Sequence, residues 1–181
     1  MAASNKKDSY HQACIDGNYE LAKSIFKNNT KIDGVVSSLD CVTQFENAVT
    51  TMERLAFVWS CENGHLEFAK WLLENHKFRF DDLLNNTFEM SASNGHLKTC
   101  QWLFYINYAT STRADLNVDA ALKLSCINGH LDVARWLNTL GAFQMPKDGD
   151  AVFKMIVSNG HNNIIEWLRE MEPSNDRVKR K

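Results

Sequence analysis

Residues 125–140 read SCINGHLDVARWLNTL, and this stretch decides the fold. Asn128 and Gly129 stand between two apolar-periodic runs. Glycine has no Cβ, so it takes the φ > 0 conformation that closes a helix without a clash. After it, Leu131, Val133, Ala134, Leu137 and Leu140 recur at the spacing of one helical face, with Asp132 and Arg135 on the other. The stretch predicts a helix, a sharp stop and a second helix.

The same wording returns along the chain. SCENGHLEFAKWLLEN occupies 60–75, SASNGHLKTCQWLFYI 91–106 and VSNGHNNIIEWLREM 157–171, and a weaker copy, ACIDGNYELAKSIFKN, occupies 13–28. The anchoring glycines are Gly17, Gly64, Gly95, Gly129 and Gly160, at spacings of 47, 31, 34 and 31. The first interval carries roughly 14 to 16 extra residues, an insertion at about 29–50. Within it Cys41, Val42, Phe45 and Val49 fall at helical spacing and predict an extra helix over Asp40–Val49.

Aligned on the glycines, the copies form columns. Three residues before stand Cys14, Cys61, Ala92, Cys126 and Val157, small and apolar, which lets two helices approach closely. Seven before stand the bulky apolar residues Tyr10, Phe57, Phe88, Leu122 and Phe153. Eight after stand Ile25, Leu72, Leu103, Leu137 and Leu168, an aliphatic column expected to be buried. Like residues in columns are what a stacked array produces, because each unit buries its face against its neighbour.

A roughly 33-residue helix–turn–helix unit with this wording resembles the ankyrin repeat. The phrase NGHLE-(F/V)-A-(K/R)-WL most resembles the copies found in giant DNA viruses and in protists. The resemblance covers about residues 8–172. It implies an all-α, ankyrin-like helix–turn–helix solenoid of about five repeats over 1–172, followed by a basic tail over 173–181. The family's T-P-L-H box is absent, and only His11 matches its histidine. Glycine is also missing from the segments Glu74–Asn85 and Ile106–Asn117, where fingers would lie, so short or irregular finger loops are expected. In the last copy Asn162 and Arg169 stand where the interior copies carry apolar or neutral residues, with charged Glu166 and Glu170 beside them, as a water-facing end requires.

Composition narrows the function. Lys+Arg number 20 against Asp+Glu 22, for a net charge of -2. That balance excludes a broad phosphate footprint, and no nucleic-acid partner is expected. The longest apolar runs, Leu55–Trp59 and Trp102–Ile106, are far short of the ~20 residues a membrane span needs. The opening MAASNKKDSY has no apolar run typical of a secretory signal, and the odd cysteine count, 5, forms no CxxC pair. A reducing, intracellular compartment is expected, with nuclear import through RVKRK (177–181) as a variant of it.

Three columns resemble chemistry. Cys61 and His65, and again Cys126 and His130, are four apart, but the intervening glycine breaks the helix and Ala92 and Val157 fill the cysteine slot elsewhere. His65, His96, His130 and His161 open each second helix. Adjacent repeats stack about 10 Å apart, too far to share a metal, so these histidines read as helix-opening residues bonded to loop backbone. Trp71, Trp102, Trp136 and Trp167 follow each glycine by seven, without a basic stripe beside them, and read as a packing ladder rather than a base-stacking platform. No phosphate loop, HExxH or GxSxG motif is present. No catalytic residue, metal or cofactor is expected.

Architecture without catalytic chemistry points to a non-enzymatic protein–protein interaction module, monomeric or weakly self-associating. The resemblance suggests an intracellular host or viral partner. A structural subunit of a virion or large assembly, and an adaptor working with a separate ubiquitin-ligase component, are the other readings. The contact positions are expected two residues before each glycine, at Ile15, Glu62, Ser93, Ile127 and Ser158, with Phe78, Arg79 and Phe80 in a loop beside them. Ile127 is expected to be exposed. Elemental analysis of the purified protein is expected to show no stoichiometric zinc, and a chelator to leave its thermal unfolding unchanged. One zinc per chain would overturn the packing assignment of the Cys and His columns.

Overall fold

A computed structural model describes residues 12–13, 16–30, 53–75, 81–109, 116–141 and 146–171. All secondary structure among them is helical. The helices are Tyr19–Thr30, residues 53–62, Leu66–Asn75, Asp81–Ser93, Leu97–Ala109, Val118–Ile127, Leu131–Thr139, Ala151–Ser158 and Asn162–Met171. They pair about the repeat glycines, and each pair is named below by its glycine. The chain divides into two compact units, Met1–Thr87 and Phe88–Lys181, with the boundary inside the helix Asp81–Ser93.

Each pair closes in the same way. In the Gly129 pair, the glycine N–H donates to the Cys126 carbonyl at 3.2 Å and the His130 N–H to the Ser125 carbonyl at 2.9 Å. That double bond pattern, with φ of 83° at Gly129, is a Schellman closure, which satisfies carbonyls that a helix end otherwise leaves open. Gly64, Gly95 and Gly160 repeat it, with φ of 74°, 80° and 76°.

The core of the first unit is built from Ala22, Phe57, Cys61, Phe68, Leu72 and Leu84, all buried. In the second unit Phe88, Ala92, Leu103, Leu122, Cys126, Leu137 and Ile156 are buried. Here Val118–Ile127 packs against both Leu131–Thr139 and Ala151–Ser158. The aliphatic column is thus interior at Leu72, Leu103, Leu137 and Leu168, whereas Ile25 is half-buried.

Three expectations need correction. Residues Asp81–Asn85 and Ile106–Ala109, assigned to finger loops, are helical. Polar side chains there are compatible with helix, because Asn85 and Asn107 lie on half-covered faces rather than in turns. The helix Tyr19–Thr30 also runs through Asn29 and Thr30, which the repeat arithmetic gave to the insertion. Finally, Val157 is 49% exposed although its column is fully buried at Cys61, Ala92 and Cys126. No described helix pair follows to cover it. The expected helix over Asp40–Val49 and the tail 173–181 lie outside the described residues.

Burial decides the expected cost of truncation. Leu137→Ala should lose about 2–5 kcal/mol, because a cavity remains among packed neighbours. Met155→Ala, on a half-exposed side chain of the last pair, should lie within about 0.5 kcal/mol of the parent. Denaturant midpoints for the two variants check both.

Candidate partner-binding surface

The columns that resembled chemistry are occupied in packing one pair on the next. An ideal Cβ built on Gly129 would lie 2.5 Å from Nδ1 of His161. The His130 imidazole sits in the same place against Gly95, and the His65 imidazole against Gly17, where Cε1 would be 2.6 Å from the added carbon. Each of these histidines therefore fills the space beside the preceding glycine. His130 opens its helix with no side-chain capping bond. It accepts through its own carbonyl from the Ala134 N–H at 3.0 Å.

The asparagine before Gly64, Gly95, Gly129 and Gly160 is a second finding. In that position an asparagine is expected to close its own helix. Asn63 does so, donating from Nδ2 to the Trp59 carbonyl at 2.8 Å. Asn128 instead reaches back one pair and donates to both the carbonyl and Oγ of Ser93, at 2.8 and 2.7 Å. Asn159 likewise donates to the Ile127 carbonyl at 2.9 Å. The amide satisfies a carbonyl at the end of the previous first helix, where intrahelical donors have run out.

A family model describing ankyrin repeats in three copies matches residues 10–115. This chain belongs to the ankyrin-repeat family. No curated protein matches the chain. The match spans the first three ankyrin pairs; the Gly129 and Gly160 pairs beyond it carry the same closure, and Gly129 receives the His161 imidazole.

Trp71 and Trp136 pack on phenylalanine. Trp71 stacks with Phe68 at 5.7 Å, and the Lys23 ammonium lies 4.9 Å from its ring centroid. Trp136 meets Phe88 and Phe104 edge-on, at 6.3 and 5.9 Å. Edge-on contacts place the positive ring edge against the negative face. Trp71 also borders an open recess of about 280 Å³ with Lys23, Glu67 and Glu74.

The cysteines Cys61, Cys100 and Cys126 are buried and form no disulfide. Burial pushes the Cys100 thiol up from 9.0 to about 12, with the negative charge of Asp132 adding and a backbone hydrogen bond opposing. Burial pushes the Cys126 thiol up to about 12 as well, opposed by a hydrogen bond with Ser125. A thiol held neutral is neither a nucleophile nor a metal ligand. Among the described residues no three His, Cys, Asp or Glu side chains gather as a metal site.

The expected contact row is only partly open. Ser158 is exposed, its hydroxyl donating to the Met155 carbonyl at 2.9 Å. Glu62 and Ser93 are half-buried, Ser93 as the acceptor of Asn128. Ile127, expected in water, is half-buried because the following pair packs over its helix end. Ile15, Phe78, Arg79 and Phe80 lie outside the described residues. A feature the sequence reading passed over is the outer face of Leu97–Ala109, where Tyr105 and Tyr108 are 69% and 87% exposed beside exposed Lys98 and Gln101. The signal was present: the slot of Tyr105 holds Lys27, Glu74, Thr139 and Glu170 in the other copies.

Two tests follow from this geometry. Gly160→Ala should lose about 1–2 kcal/mol, the cost of a left-handed backbone for a residue with a Cβ. Nothing lies within 4 Å of that added carbon. Gly129→Ala should lose more, because the His161 ring must also move. Removing that ring in the Gly129→Ala, His161→Ala double variant should return part of the loss, which a thermodynamic cycle measures.

The thiols set an alkaline limit. Cys100 and Cys126 are protonated in the fold well above the pH at which the unfolded chain releases its thiol protons. Their contribution is therefore intact below about pH 9 and declines as pH rises toward 12. Urea midpoints should fall across that window in the parent and fall less in Cys126→Ala.

Proposed function

We propose that this chain is a non-enzymatic protein-binding module whose partner docks along the row two residues before each repeat glycine. Ankyrin repeats generally serve as protein–protein interaction modules, and a protein partner follows from the family. One observation supports the placement. The glycine, histidine, asparagine and leucine columns hold pair against pair, while the row Ile15, Glu62, Ser93, Ile127 and Ser158 changes chemistry from copy to copy at fixed spacing. Columns that keep nearly the same residue build the frame, and a row that varies within it supplies recognition. Phe78, Arg79 and Phe80 extend that row with the aromatic and guanidinium groups common at interface hot spots.

The NGHLE wording, similar to that of giant viruses and protists, supports an intracellular host or viral protein as the partner and the host cytoplasm as the compartment. Among the described residues no helix is long and apolar enough to cross a membrane.

Affinity capture from host-cell lysate, with mass spectrometry of retained proteins, identifies the partner. Glu62→Lys with Ser158→Lys, and separately Arg79→Ala, should each weaken its capture while thermal unfolding stays at the parent temperature. Wild-type retention by both variants would remove the row from consideration. Loss through Tyr105→Ala and Tyr108→Ala would then move the contact to the outer helix face.

A further inference from the structure

The two ends of the array expose matching halves of the contact that joins its pairs. Four residues after the glycine, Phe68, Thr99, Val133 and Ile164 are buried, but Leu21 in the first pair is 45% exposed. Three residues before the glycine, Cys61, Ala92 and Cys126 are buried, but Val157 in the last pair is 49% exposed. Each exposed residue is apolar in a column that burial otherwise claims. Leu21 lies on the side where a preceding pair would stack, and Val157 on the side where a following pair would stack.

The rest of the last pair continues the same face. Ala151, Lys154, Met155 and Ser158 are exposed, while their counterparts Ala120, Lys123, Leu124 and Ile127 are half-buried beneath the Gly160 pair. The space beside Gly160 is open, where Gly95 and Gly129 each receive an imidazole. On the first pair, Asp16 and Asn18 are exposed and stand in the slots of the Asn and His that reach back across the contact elsewhere.

We propose that the Gly160 face of one copy receives the Gly17 face of a second copy, so that the chain associates head to tail through its own repeat–repeat contact. The occupant follows from continuity. The interior contact is an apolar pair of faces with polar groups reaching from the following pair to the preceding helix end, and the two exposed faces are its two sides. Asp16 cannot donate as Asn128 does toward Ser93; as an acceptor it takes the Ser158 hydroxyl proton only when that hydroxyl leaves the Met155 carbonyl. Asn18 is shorter than histidine and fills the space beside Gly160 less completely. The contact is therefore weaker than the stacking within a chain, and the association is reversible. Its two surfaces differ, so it is heterologous and does not close at a dimer by two-fold symmetry.

Sedimentation equilibrium of the 181-residue chain from micromolar to millimolar concentration tests this. The mass-average should rise with concentration past that of a dimer. Leu21→Glu spoils the front face alone and Val157→Glu the back face alone, so each variant should remain a monomer. Their equimolar mixture should form a species of two chains and stop there, because one intact back meets one intact front. Circular dichroism of each variant confirms the parent helicity; if Val157→Glu reduces it, Ser158→Lys replaces that variant. A concentration-independent monomer mass for the parent would overturn the proposal. So would single variants that still dimerise, which marks a symmetric contact through one face, or a mixture that shows no dimer.

Discussion

The array depends on a backbone that leaves room for a neighbour's ring. The repeat glycines take φ near 66–83° to close the first helix, and at Gly17, Gly95 and Gly129 the missing side chain leaves the space that the next pair's histidine fills. Two constraints of different origin thus fall on one atom position. The conformation alone already disfavours a Cβ; the imidazole excludes it again from outside. Helix closure, which is local, is tied in this way to stacking, which is not. The fully buried neighbours Ser125 and Cys126 supply the carbonyls for that closure, and so the turn, the core and the contact between pairs share the same few residues.

Around that contact the polar groups are arranged to serve it. A first helix ends with open carbonyls, and an amide from the next pair reaches back to them at Ser93 and Ile127. Water would do this at a free end, but within a stack the carbonyls would otherwise be covered without a donor. The thiols act in the opposite sense. Held neutral by burial, they fill small apolar slots and bring no chemistry to the surface. The residues of greatest chemical promise in the sequence are in this way the structural ones, while ordinary side chains such as Ser158, Tyr105 and Tyr108 are exposed.

A repeat array also has ends, and they show what the interior columns are for. Where a position loses its neighbour, its residue type changes only in part: Leu131 becomes Asn162, yet Cys126 becomes Val157 and Phe68 is matched by Leu21. On the last helix Asn162, Glu166, Arg169 and Glu170 are polar and exposed, with Met171 exposed beside them, and on the preceding helix Met155 and Val157 remain apolar in water.

The sequence by itself determined the paired helices, the glycine closures and the identity of the buried columns. These follow from period, from glycine's freedom at φ > 0 and from apolar residues recurring at fixed offsets, all of which act over a few residues. It also showed that the cysteine slot asks for size rather than for sulfur, since Ala92 and Val157 share it. Only the tertiary structure decided where His130, Asn128 and Ile127 act. Their partners are residues of another pair, some thirty positions away, and a spacing rule within one copy is silent about them. It also extended helix through residues expected in fingers, Asp81–Asn85 and Ile106–Ala109, where Leu84 is buried and Ile106 and Asn107 are half-buried. Columns identify which residues serve packing; the stacking of one pair on the next determines which atom each one meets.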